Sequence, residues 1–132
     1  MIYVIDDDVI MAECITRVIA QRFPAEECEI FTNGIQAIQE INGEVKLIFL
    51  DILLDGPDGF AFLNELMSYN DTAKIPVVIV TSLKIKQDLS GYGVVKVLDK
   101  STMKPEEIVS IAEKYLCKKP LHSDSIAGEA EK

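Results

Sequence analysis

Ile2-Tyr3-Val4-Ile5-Asp6-Asp7-Asp8 runs four apolar residues straight into three carboxylates. Val45-Lys46-Leu47-Ile48-Phe49-Leu50-Asp51 repeats the pattern, an apolar run broken only by Lys46 that also stops at an acid. Runs this short and this apolar read as strands buried on both faces, the habit of a parallel sheet. Carboxylates are poor strand residues and costly to bury unpaired, so each run ends where the acids begin. If the two strands are parallel, Asp6, Asp7 and Asp51 meet at one edge, where only a cation relieves their repulsion.

Outward from these runs, strands and helical patterns alternate. The candidate strands are Ile2–Ile5, Cys28–Phe31, Lys46–Leu50, Val77–Val80 and Val94–Leu98. The first helical stripe is Met11, Cys14, Ile15, Val18 and Ile19, at i, i+3, i+4, i+7, i+8. Asn33-Gly34 starts a second helix that runs through Ile35, Ile38 and Ile41 to a stop at Asn42-Gly43. A third follows Asp58-Gly59 with Phe60, Leu63 and Met67 inward. A last helix has Pro105 in its first turn, acids Glu106 and Glu107 at its positive end, and Ile108, Ile111, Ala112, Tyr115 and Leu116 as its stripe. Five β-runs interleaved with helices predict an α/β fold, a three-layer doubly wound parallel sheet whose ligands bind at the carboxyl edge.

The chain has 132 residues, 48% of them hydrophobic, which suits one domain with a real core. No stretch approaches the ~18 apolar residues of a membrane span, so no membrane insertion is expected. The chain enters a strand pattern at once, with neither a basic leader nor an apolar h-region, which argues against export. Cys14, Cys28 and Cys117 are odd in number and match no metal or redox spacing; Cys14 and Cys28 read as small core residues of a reduced, cytoplasmic protein. The net charge of −9 argues against direct binding to nucleic acid. Residues 118–132 lack periodicity and read as a flexible tail or linker, leaving 1–117 as the domain. His122, the only histidine, falls in that tail and is expected to be solvated.

At the expected carboxyl edge stand Asp6 and Asp7, then Asp51, then Thr81-Ser82, then Lys100. Two or three carboxylates with a backbone carbonyl suit Mg²⁺, a hard cation that keeps several waters. Asp51 can attack phosphorus to give an acyl phosphate, Thr81 or Ser82 can donate to a phosphoryl oxygen, and Lys100 supplies a compact positive charge. Phosphoryl transfer is mostly positioning and electrostatics, and this set covers both. Taken singly each feature has a plainer reading: Asp6 to Asp8 as a helix cap, Asp51 as the start of a turn, Thr81-Ser82 as a loop cap, Lys100 as a surface lysine.

Together these residues resemble the receiver domains of two-component response regulators, a flavodoxin-like fold with strand order 2-1-3-4-5. The resemblance covers about residues 1–117. It rests on Tyr3-Val4-Ile5-Asp6-Asp7-Asp8, on Leu47-Ile48-Phe49-Leu50-Asp51 with Asp58-Gly59, on Val77-Val78-Ile79-Val80-Thr81-Ser82, and on Lys100. It implies that Asp51 is the phosphoacceptor and that Asp6, Asp7, Asp51 and the Leu53 backbone carbonyl hold Mg²⁺, with Mn²⁺ as a substitute. Thr81 is then the switch hydroxyl and Lys100 the phosphate-contacting amine. The implied donor is a sensor histidine kinase or a histidine phosphotransfer protein, with a downstream protein as output and the domain itself a monomer or weak homodimer. At most it would catalyse its own phosphorylation and dephosphorylation.

The chain departs from the family pattern in four places. Ser101 follows Lys100 where the family has a proline, often cis, and a non-proline cis bond costs about 2.5–4 kcal/mol. Val97 stands where an aromatic ring usually swings. The interval from Thr81 to Gly93 is short, so the fourth helix of the family, over Leu83 to Ser90, is expected to be stunted, mobile or absent. Asp55 replaces a frequent proline and reads as solvated. Apolar Leu53 beside the site predicts slow self-dephosphorylation. The missing ring, proline and helix motivate a rival, a receiver-fold module that binds partners without phosphorylation; a Mg²⁺-dependent phosphatase or a flavin protein fits less well.

Overall fold

The computed structural model describes residues 1–54, 59–85 and 88–116. Strands β1 (Ile2–Ile5), β2 (Cys28–Phe31), β3 (Leu47–Leu50), β4 (Val77–Thr81) and β5 (Val94–Asp99) form one sheet, ordered β2-β1-β3-β4-β5 and parallel throughout. Helices α1 (Val9–Arg22), α2 (Gly34–Glu40), α3 (Gly59–Met67) and α4 (Pro105–Leu116) cover it. Alternation within each strand sorts the core into two halves. Ile2, Val4, Leu47, Phe49, Val78 and Val80 pack under α1 and α4. Tyr3, Ile5, Ile48, Leu50, Val77 and Ile79 pack under α2 and α3. The three-layer fold and strand order match the expectation.

The helices differ from the expectation chiefly in phase. In α1 the buried residues are Ala12, Ile15 and Ile19, whereas Cys14 is exposed and so is not a core cysteine; Cys28 on β2 is partly buried and packs against the core as expected. At 100° per residue Cys14 lies roughly 130° from the centre of that stripe. α2 buries Gly34 and Ala37, leaves Ile35 exposed, and ends at Glu40 because Ile41 is already extended (ψ 144°), short of the expected Asn42-Gly43 stop. α3 buries Gly59, Phe62, Leu63 and Leu66, with Phe60 half-buried and Met67 exposed. Its apolar residues outnumber one face, so tertiary packing rather than periodicity sets which of them turn inward. α4 buries Ile108 and Ala112 as expected.

Between β4 and β5 the described residues form no α-helix. Their one helical turn is 3₁₀, Ser90–Tyr92, closed by Gly93 in the left-handed conformation (φ 79°). β5 is therefore thinly covered: Val97 pairs in register with Ile79, on the α2–α3 side of the sheet, yet is 43% exposed. A register shift opposite Val77/Val78 leaves Val95 as a bulge on this edge strand. Residues 86–87, within the expected fourth helix, lie outside the described residues. So do Asp55, Asp58, Cys117 and the 118–132 tail with His122.

Candidate functional site at the carboxyl edge

The register delivers the acids to one place. Ile5 pairs with Leu50, and the Asp51 N–H donates to the Ile5 carbonyl at 2.9 Å, so Asp6 and Asp51 emerge side by side. Asp6, Asp7 and Asp51 each offer a carboxylate oxygen, all within 4.8 Å of one another. Asp6 (2% exposed) and Asp51 (5%) are buried, while Asp7 reaches solvent. Asp8 completes the turn: its N–H donates to Asp6 Oδ1 (2.9 Å), and its own Oδ1 caps α1 by accepting from the Met11 N–H (3.2 Å). The capping reading and the site reading therefore divide the run: Asp8 is the cap and Asp6 and Asp7 belong to the cluster.

Lys100 reaches this cluster from the end of β5, where its N–H donates to the Thr81 carbonyl at 3.0 Å. Its Nζ lies 2.9 Å from Asp51 Oδ2, and 3.2 and 3.0 Å from Asp6 Oδ1 and Oδ2. Burial pushes the Asp6 carboxyl above the ordinary range, against the lowering effect of the Asp8 N–H and Lys100. Burial alone would lower the Lys100 amine, but its hydrogen bonds to Asp51 and Asp6, with their charges, raise it instead. The amine stays charged at neutral pH and pins both acids.

Leu53, two residues past Asp51, donates its N–H to Asp51 Oδ1 at 3.0 Å, with its side chain 53% exposed. Thr81 is fully buried and its Oγ1 accepts the Leu83 N–H at 3.2 Å, so the start of the β4–β5 link hangs on the hydroxyl. Ser82 is exposed and no described contact draws it into the cluster. The Lys100–Ser101 bond is trans. The Asp99 carboxylate holds the turn there, accepting from the Ser101 N–H (2.8 Å) and Oγ (2.7 Å).

One atom tests whether these residues suit a cation. Asp6 Oδ2 is buried and accepts no hydrogen bond, because Lys100 approaches it off-line. An anionic oxygen left so is expensive unless a ligand completes it. With Asp7 and Asp51 beside it, the donor set is all oxygen, which fits a hard divalent ion such as Mg²⁺. Gly59, quoted above only as part of a motif, also touches the site. Its N–H donates to the Ile52 carbonyl at 2.8 Å, and it packs on the peptide that follows Asp51. Sequence signals this only as a glycine at the start of a helix.

The profile of the response regulator receiver domain matches residues 2–113. A probable transcriptional regulator, ycf29 of Porphyra purpurea, is 30% identical over 127 residues, 92% of this chain but 59% of its own length. The chain thus spans about three-fifths of that relative. The NtrX receiver domain from Brucella abortus is 26% identical with a TM-score of 0.74, over 90% of this chain and 100% of that one. The receiver domain of a sensor histidine kinase from Pseudomonas aeruginosa PAO1, solved with magnesium ion in its active site cleft, superposes with a TM-score of 0.72 at 19% identity, over 89% of this chain and 97% of that one. With its five-stranded parallel order, its acid cluster and this match over most of its length, the chain belongs to the response regulator receiver domain family.

Proposed function

We propose that this domain is a phosphoacceptor of a two-component phosphorelay, taking a phosphoryl group from a phosphohistidine donor onto Asp51. The observation that carries the reading is the arrangement around Asp51, a buried carboxylate held at one oxygen by the Leu53 N–H and at the other by Lys100, beside Asp6 and Asp7. Asp6, Asp7, Asp51 and the Leu53 carbonyl are the groups that would hold Mg²⁺ or Mn²⁺. When bound, the ion supplies positive charge to the phosphoryl oxygens. An Asp51 oxygen forms the new O–P bond as the P–N bond to the donor imidazole breaks, and the imidazole nitrogen keeps the electron pair. Lys100 turns from the carboxylates to a phosphoryl oxygen, and the Thr81 hydroxyl donates to another. Drawing Thr81 inward releases the Leu83 N–H, so the 83–85 segment moves with the phosphorylation state.

Output is then a protein contact at the β5 side, where Leu83, Val95 and Val97 are exposed. The reading places the protein in the cytoplasm with a histidine kinase or phosphotransfer partner, and assigns it no turnover of its own beyond gain and loss of the phosphoryl group. Among the described residues no helix is long and apolar enough to cross a membrane. The exposed Val97, with no ring to swing, favours a second reading in which partner binding ignores phosphorylation. Intact mass after incubation with acetyl phosphate, with and without Mg²⁺, tests the first. One phosphoryl group should appear only with Mg²⁺ and should be lost in Asp51→Asn. No gain from acetyl phosphate or from a phosphohistidine protein refutes it.

A further inference from the structure

We infer that Gly59 is a positioning residue for the phosphoacceptor, a role that rests on Asp51 being the residue phosphorylated. A Cβ built on Gly59 would lie 2.6 Å from Ile52 Cα, 2.9 Å from the Asp51 carbonyl oxygen and 3.0 Å from the Ile52 carbonyl oxygen. All three are main-chain atoms, and they belong to Asp51 and the residue after it. No flexible side chain can yield, so any residue but glycine forces α3 and the Asp51–Ile52 peptide apart. Ordinary packing resumes near 3.5 Å, so the shift is about 1 Å. The Gly59 N–H to Ile52 carbonyl bond, 2.8 Å, ties the same two segments and resists it.

The displaced peptide sits at the root of Asp51, whose carboxylate is aimed by the 3.0 Å bond from Leu53 N–H and the 2.9 Å bond to Lys100. A misplacement of about 1 Å at a reacting group costs on the order of 100-fold in rate. The other described glycines differ. A Cβ on Gly34 meets only side chains of Phe62 and Leu54, at 3.6–3.7 Å, and one on Gly91 meets nothing within 4 Å. The close approach is thus particular to Gly59.

The test compares Gly59→Ala with Gly34→Ala, Gly91→Ala and Leu66→Ala, the last removing a buried side chain about two turns further along α3. Each variant's phosphorylation rate by acetyl phosphate is measured over a range of donor and Mg²⁺ concentrations, alongside its melting temperature. Gly59→Ala should lose about 100-fold in the saturating rate and weaken Mg²⁺ binding. Leu66→Ala, less stable, should react within about threefold of the unaltered protein, as should the two glycine controls. If Gly59→Ala melts below the assay temperature, all variants are compared in trimethylamine N-oxide, which strengthens burial. A Gly59→Ala protein that reacts within threefold of the unaltered one overturns the inference, and so does one that stays unfolded in the osmolyte, since the contact is then a requirement of the fold. Absence of phosphorylation in the unaltered protein itself refutes the proposed function instead.

Discussion

Replacing Lys100 by Met keeps the aliphatic stem and deletes the cation that, among the described residues, bridges Asp6 and Asp51. Both acids are then left facing each other, and Asp6 Oδ2, which accepts no hydrogen bond, loses its ion pair as well. Removing one partner from a fully enclosed ion pair costs about 3–5 kcal/mol. Here the Lys100 side chain is 16% exposed, so solvent screens part of the loss and about 2 kcal/mol is the expected deficit. At about 4 °C per kcal/mol for a domain of this size, the metal-free protein should melt ~8 °C lower. The amine pKa is raised, so its stabilising effect is fully present below the unfolded value and is lost only as pH climbs through the folded one. The deficit is therefore complete at pH 7.

Mg²⁺ should behave in the opposite way. The ammonium competes for the same oxygens, and a unit charge about 4 Å away at an effective dielectric near 20 is worth ~4 kcal/mol. Screening and side-chain rearrangement reduce this, and tenfold tighter Mg²⁺ binding is the least expected. Calorimetric Mg²⁺ titration and thermal melts, with and without the ion, measure both effects. Lys100→Met should recover more stability from Mg²⁺ than the unaltered protein while reacting slowly with acetyl phosphate. A variant that melts like the unaltered protein and binds Mg²⁺ no tighter would show that Lys100 does not hold the acids together.

The side chain of Glu26, 13% exposed, pairs with the N-terminal amine and with Lys46 (3.2 Å). Burial pushes its carboxyl up, but these two cations outweigh that and hold it below the ordinary glutamate range. Its stabilising effect is present above the unfolded pKa and lost as pH falls through the folded one. Urea denaturation should thus find Glu26→Gln about 1 kcal/mol weaker at pH 7, with the gap closing as pH falls below the lowered carboxyl's range; a gap that persists in strong acid contradicts the sign. Thr81→Ala should stay folded, losing about 1 kcal/mol with the Leu83 N–H bond, and still accept phosphate. Its hydrogen-exchange protection at 83–85 should no longer respond to phosphorylation, and an undiminished response would assign the switch elsewhere. Val97→Ala removes an exposed side chain and should change stability by no more than about 0.5 kcal/mol. Its effect should fall on partner binding, and an equal affinity for a captured partner would remove β5 from the output surface.

The strands and the site acids were legible in the sequence because each is fixed locally. A strand buried on both faces needs only an unbroken apolar run, as in Leu47–Leu50 and Val77–Val80, and an acid at its end marks where burial stops. Asn33 and Asp8, both polar and just ahead of helical periods, announced their caps in the same way. That the described residues before β5 form no α-helix was also readable, since few residues separate Thr81 from Gly93. Helix phase was not. Six of the nine residues of α3 are large or small hydrophobes, and Phe60-Leu63-Met67 is as periodic as Phe62-Leu63-Leu66.

Contacts from elsewhere in the chain decide such cases. Gly59 lies against the Ile52 backbone, and in that setting Phe62, Leu63 and Leu66 are buried while Met67 is exposed. Cys14 belongs to an apolar period yet stands in solvent, because the α1 face that meets the sheet centres on Ala12, Ile15 and Ile19. The sequence could bring Asp6, Asp7, Asp51 and Lys100 to one edge by topology alone. It could not say that Lys100 would bond both buried acids while leaving Asp6 Oδ2 without a hydrogen bond. That outcome depends on sub-ångström differences in approach across 94 residues of chain, a quantity no local pattern carries.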